Sequence, residues 1–234
     1  MKVKLIQVGG FFGAGKTTFV LRLARWLVER CHRVAIVADE PIDLAEAQAE
    51  QPETFSIDGM PLGSCFFCRP NNLTEIICKL GRMSRPDIII VEIAGRRKDL
   101  NGIVRRLEGV YKKGVQCAPY SVVVDPFNML STLKLETSRG FSREIESLMK
   151  TQLEEASILL LNKCDVFPIE NRRRMEAVIS DQYPGSKVYS VSGRTGEGSR
   201  KWFDLLANEV VNPGCASGAH HEKAKAKRRS RTPK

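Results

Sequence analysis

Short apolar runs recur along the chain, separated by longer stretches in which apolar positions return at helical spacing. Lys2 to Val8, Arg33 to Ala38, Asp87 to Ile93, Tyr120 to Asp125, Ser157 to Asn162 and Lys187 to Val191 read as strands. Runs such as Ile88-Ile89-Ile90-Val91 and Ile158-Leu159-Leu160-Leu161 do not alternate with polar residues. That suits strands buried on both faces of a parallel sheet. The intervening pattern predicts helices over Lys16 to Arg30, Leu73 to Met83, Leu100 to Tyr111, about Ser142 to Glu155, and Glu197 to Val210. Strands separated by helix-length segments imply right-handed βαβ units. The expected class is therefore α/β, a mostly parallel central sheet flanked by helices in three layers. Pro52 to Asn72 is the longest stretch with no clear period, a length that usually marks a functional loop.

Composition narrows this picture. The 234 residues suffice for one α/β domain, and 42% hydrophobic with 27% charged residues is a globular balance. No apolar run reaches the ~18 residues that span a bilayer, and Met1 to Val8 lacks the features of a signal peptide. A cytoplasmic protein without a membrane partner is expected. The net charge of +10 is uneven, because residues 212–234 hold seven Lys and Arg against one Glu. The domain is expected over 1–211 and a basic, disordered tail over 212–234. No aromatic residue interleaves the tail's basic run, so a solvated tail is favoured over a nucleic-acid grip. His220 and His221, beside Cys215, are a thin signal for metal in that tail. The seven cysteines are irregularly spaced apart from one pair, which fits a reducing compartment. Cys31, Cys78, Cys117 and Cys164 read as space-filling hydrophobes.

The chemistry begins with Gly10-Phe11-Phe12-Gly13-Ala14-Gly15-Lys16-Thr17, a match to G-x-x-x-x-G-K-S/T between a strand and a helix. Gly10, Gly13 and Gly15 let the backbone bend, so that N–H groups of the loop, Ala14 included, face phosphate oxygens. The helix opening at Lys16, Thr17 and Thr18 adds its positive dipole end. Lys16 is expected on the β- and γ-phosphates and the Thr17 hydroxyl on Mg2+. About 145 residues further on, Asn162-Lys163-Cys164-Asp165 forms N-K-x-D at a strand's C-terminal end. Asp165 is expected to accept from the guanine N1–H and 2-amino group, donors that adenine lacks. Lys163 would lie over the base and Asn162 would tie this loop to the phosphate loop. Ser190 to Gly198, with Ser192 in it, is either a loop closing over the base or an ordinary capped turn. GTP or GDP with Mg2+ is the expected ligand set.

The third strand ends Glu92-Ile93-Ala94-Gly95, an E-x-x-G where many GTPases have D-x-x-G. Gly9 to Thr18, Glu92 to Gly95, Asn162 to Asp165 and Thr195-Gly196-Glu197-Gly198 together resemble the CobW/HypB/UreG family of P-loop GTPases. The resemblance spans roughly residues 1 to 210. It implies a P-loop NTPase fold and a role in delivering nickel, cobalt or zinc to metalloenzymes and cofactors. It implies that Glu92 reaches Mg2+ and that the Gly95 N–H touches the γ-phosphate. It also places an acidic contact to Mg2+ or the γ-phosphate region at Asp39-Glu40. Members often have Asn before the acidic residue, so Asp39 and Glu40 are both candidates, and Asp39 alternatively caps a helix. Arg96 stands where Ras-type enzymes place a glutamine, so slow intrinsic turnover, raised by dimerisation or a partner, is expected.

Cys65-Phe66-Phe67-Cys68 is a C-x-x-C that offers two thiolates to a soft or borderline ion. Reduced core or redox thiols are the alternative from spacing alone. CobW-like members carry C-x-C-C here, and Phe67 stands at the middle cysteine. Two ligands leave a tetrahedral site half filled, and a second copy in a nucleotide-dependent homodimer would complete it. The expected function is a GTP-hydrolysing metallochaperone or maturation factor for a client metalloenzyme or cofactor protein. The alternatives are a GTP-dependent switch without metal and a P-loop small-molecule kinase.

Overall fold

The computed structural model describes residues 3–38, 58–61, 86–93, 115–132 and 142–211. Among the described residues eight strands run in chain order: β1 Val3–Gly10, β2 Val34–Ala38, β3 Asp58–Pro61, β4 Ile88–Glu92, β5 Val115–Cys117, β6 Ser121–Val124, β7 Ile158–Leu161 and β8 Lys187–Ser190. Five helices are described: α1 Lys16–Val28, α2 Pro126–Thr132, α3 Arg143–Glu155, α4 Ile169–Gln182 and α5 Ser199–Val211. The sheet order is β3-β2-β4-β1-β6-β7-β8, with β5 also paired to β1. Every pairing among the described residues is parallel, a stricter arrangement than the mostly parallel sheet expected.

The non-alternating apolar runs become strands buried at every position, as in β2, β4, β6 and β7. Neighbouring residues of one strand feed opposite layers. Leu5, Ile89 and Leu159 pack with Met129 of α2, Leu153 of α3, and Met175 and Ile179 of α4. Ile6, Val8, Ile90 and Leu160 pack with Phe19, Val20 and Leu23 of α1 and with Trp202, Phe203 and Leu206 of α5. The result is the expected three-layer arrangement.

Five elements depart from the sequence pattern. β3 lies inside the stretch that has no period, and its register is supplied by pairing with β2. β5 is three residues long, too short to leave a pattern. α2 and α4 were not signalled. α4 has only two buried residues, Met175 and Ile179, in a run dominated by charge. α5 starts at Ser199 rather than Glu197, because Gly196 and Gly198 hold left-handed turns with φ of +86° and +71°. The helices expected over Leu73 to Met83 and Leu100 to Tyr111, and the tail at 212–234, lie outside the described residues.

Cys31 is not the buried filler expected, but is exposed. It has a left-handed φ of +62°. The Cys31 N–H donates to Val28 O at 2.8 Å and the His32 N–H to Leu27 O at 3.2 Å, which closes α1 with crossed bonds. A Cβ in that conformation costs about 1–2 kcal/mol, partly offset by glycine's greater unfolded-state entropy. Cys31→Gly is expected to stabilise the fold by about 0.5–1 kcal/mol, read as a higher denaturant midpoint at unchanged slope.

Candidate nucleotide-binding site

With all strands parallel, the C-terminal ends of β1, β4, β6, β7 and β8 lie along one edge of the sheet. The chain order reverses at β1, and open α/β sheets bind ligands at such a reversal. The 11–15 loop leaves β1 there and enters α1. Gly10 and Gly15 adopt φ of +141° and +92°. A Cβ would run into the Val123 carbonyl oxygen at Gly10 and into Asn162 Nδ2 at Gly15. Ala14 and Lys16 are both buried. Lys16 Nζ donates to Phe11 O at 3.2 Å and sits 5.8 Å from the Phe12 ring centroid. The loop thus holds a buried ammonium, a group whose N–H donors suit phosphate oxygens.

Glu92 ends β4, is buried, and accepts a 2.8 Å hydrogen bond from Thr17 Oγ1. A hydroxyl and a carboxylate oxygen are therefore adjacent beside Lys16. These hard oxygen donors fit Mg2+, and Thr17 and Glu92 are the described residues that would hold it. The ion would draw together phosphate oxygens and neutralise their charge. Asp39, Glu40, Gly95, Arg96, Cys65 and Cys68 lie outside the described residues. No group of three or more His, Cys, Asp or Glu able to hold a metal occurs among the described residues.

The expected base side is built on Asn162. Its Nδ2 donates to Ala14 O at 2.7 Å and its Oδ1 accepts from the Gly193 N–H at 2.9 Å, both buried contacts. One side chain therefore joins the phosphate loop to the loops after β7 and β8. Asn162→Ala leaves both backbone groups without these bonds. It is expected to cost about 2–4 kcal/mol in denaturant titration and to weaken nucleotide binding. Asp165 receives Arg194 Nε at 2.8 Å and Nη2 at 2.6 Å. Hydrogen bonding from the Ser192 hydroxyl, then from Arg194, holds the Asp165 carboxyl below its usual range. It therefore stays ionised below the ordinary carboxylate range, so if Asp165 reads guanine, affinity for guanosine, which carries no titrating phosphate, is expected to be flat between pH 8 and about 5 in competition titration. Ser192 is fully buried, and its Oγ accepts from the Thr195 N–H at 3.0 Å.

Three further residues shape the site. Asp125, buried at the end of β6, accepts from Lys163 Nζ at 2.7 Å and from the Phe127 N–H at 3.0 Å. Lys163 has a left-handed φ of +60°. Asp125 therefore fixes the tip of a side chain whose backbone is already constrained. Arg22 of α1 donates to Gly193 O at 3.0 Å and to Arg194 O at 2.8 Å. The third is Arg194 itself. Asp125 was findable, as a carboxylate at a buried strand's C-terminal end. Arg22 and Arg194 carry no local signal.

The profile of the CobW/HypB/UreG nucleotide-binding domain matches residues 4–190. The chain belongs to the CobW/HypB/UreG family. This family member is 24% identical over 219 residues to a Caulobacter vibrioides protein named a GTPase, covering 90% of this chain and 63% of that one. It is 21% identical over 220 residues to the zinc-regulated GTPase metalloprotein activator 1 of Dictyostelium discoideum, covering 80% and 45%. The chain thus spans about half to under two thirds of these relatives. Its fold resembles the hydrogenase maturation factor HypB of Archaeoglobus fulgidus, with TM-score 0.60, 16% identity, and 89% and 90% of the two chains covered. It also resembles HypB of Helicobacter pylori, solved in complex with nickel, with TM-score 0.57, 13% identity, and 93% and 91% covered. The P-loop fold is therefore that of these GTPases, and GTPase is the activity in the relatives' names. Among the described residues no helix is long and apolar enough to cross a membrane.

Proposed function

We propose that the chain binds and hydrolyses GTP with Mg2+, and couples nucleotide state to delivery of zinc, nickel or cobalt, or of a cofactor, to a client enzyme in the cytoplasm. The bridge from Ala14 through Asn162 to Gly193 carries the nucleotide half, because it sets a phosphate loop and a carboxylate reader of bases in one frame. On this reading Lys16 and Thr17 hold phosphates and Mg2+ with Glu92 and one of Asp39 and Glu40. Gly10, Gly13, Ala14, Gly15, Thr18 and Gly95 cradle the phosphates, and Asn162, Lys163, Asp165 and Ser192 hold the base. The metal half is supported by the Cys65-x-x-Cys68 motif and by the zinc and nickel in the names of similar proteins. The GTPase domain is taken as 1–211, with the tail at 212–234 free to serve a client.

Excess GTP, but not ATP, is expected to displace fluorescent GDP. Equal displacement would favour a kinase. Turnover is expected to be slow in dilute protein and to rise with protein concentration. The metal half is tested by zinc, nickel and cobalt binding to reduced protein, with GDP and with a non-hydrolysable GTP analogue. About half a metal per chain, dimerisation with the analogue, and loss of both in Cys65→Ser are expected, since four thiolates complete a tetrahedral site. No binding in either state would remove metal delivery and leave a client switch.

A further inference from the structure

Both Arg194 contacts fall on one oxygen. Nε at 2.8 Å and Nη2 at 2.6 Å donate to Asp165 Oδ2. A carboxylate oxygen offers two lone-pair directions, so this oxygen is filled. Guanine would present N1–H and the 2-amino group as a flat N–C–N donor pair, which needs both oxygens of the same carboxylate. That pair is the neutral counterpart of the guanidinium fork. The two are rivals for Oδ2.

The anchoring of Arg194 makes the rivalry reversible. Arg22 Nε and Nη2 hold the carbonyls of Gly193 and Arg194, so the main chain of the loop is tied to α1. The Arg194 side chain is 74% exposed while that of Asp165 is 10% exposed. The guanidinium can therefore leave for water without moving the loop, and Asp165 stays in place beside Ser192. The opposite arrangement, a buried Arg, would block the site permanently.

Resting on the reading of Asp165 as the guanine acceptor, we propose that Arg194 is a specificity-determining residue that competes with the guanine 2-amino group for Asp165 Oδ2. It screens the carboxylate until a base displaces it, which slows and weakens capture of guanine nucleotides. Inosine nucleotides lack the 2-amino group and need one oxygen only, leaving the other to Arg194. The latch therefore penalises guanine more than hypoxanthine.

The test measures equilibrium affinity and association rate of fluorescent GDP and inosine diphosphate for the full chain, its Arg194→Ala variant and its Arg194→Gln variant. Both variants are expected to bind GDP about two- to fivefold tighter, the scale of an exposed ion pair, and to capture it faster. Inosine diphosphate should change less, so the GDP preference rises. Equal changes for both nucleotides would overturn the proposal, and weaker GDP binding in the variants would overturn it and place Arg194 over the base instead. A wild-type chain that prefers neither nucleotide to ADP would overturn the guanine reading, and this inference with it.

Discussion

Asp165→Asn should exchange the base that the site accepts. On the proposed reading the carboxylate accepts two guanine N–H groups, whereas an amide would turn one acceptor into a donor. That donor faces the 2-amino group of guanine and would instead suit the 2-oxo group of xanthine. Losing two charge-assisted bonds and facing donor with donor is expected to weaken GDP roughly 10²–10⁴-fold. Xanthosine diphosphate should gain affinity in the same titration, which general damage to the site cannot produce. ADP should change little. Affinity for GDP within threefold of wild type would remove Asp165 from base recognition. The Ser192 hydroxyl that holds the carboxylate would still hold an amide oxygen, so the loop is expected to keep its shape.

Trp202→Ala is expected to produce the largest loss of stability. Trp202 is among the largest fully buried side chains. Its ring meets Phe19 edge-on at 5.8 Å and Phe203 at 5.3 Å, joining α5 to α1. Its Nε1–H donates to the buried Ser121 Oγ at 3.0 Å, joining α5 to β6. Truncation removes the ring, opens a cavity and strips Ser121 of its donor. About 3–5 kcal/mol is expected, a large share of a typical domain's stability. Trp202→Phe keeps most of the packing but not the hydrogen bond, and should cost less, about 1–3 kcal/mol. Equilibrium denaturation separates the two. Because α5 follows the Ser192 to Gly198 loop directly, Trp202→Ala should also weaken nucleotide binding, while Trp202→Phe should spare it.

Much of the site was legible because its parts are local. A phosphate loop needs glycines, a lysine and a hydroxyl within one turn between strand and helix, so Gly10 to Thr17 announces itself. N-K-x-D likewise packs its chemistry into four residues. The strands were legible because burial on both faces leaves uninterrupted apolar runs. α4 was not, since only Met175 and Ile179 meet the core and a charged surface masks so narrow a stripe. β3 and β5 were not, since pairing with β2 and β1 supplies what four and three residues cannot encode alone.

By itself, then, the sequence determined the fold class, the glycine-rich G-x-x-x-x-G-K-T motif, the N-K-x-D tetrad and the family resemblance, all of them short-range patterns. Tertiary structure alone decided which side chains meet. Asn162 reaches Ala14 across 148 positions, Arg22 reaches Gly193 across 171, and Lys163 reaches Asp125 across 38. Those meetings depend on strand order. Only the parallel sheet, with its order reversing at β1, brings five strand ends to one edge, and a linear pattern carries no record of which strands become neighbours.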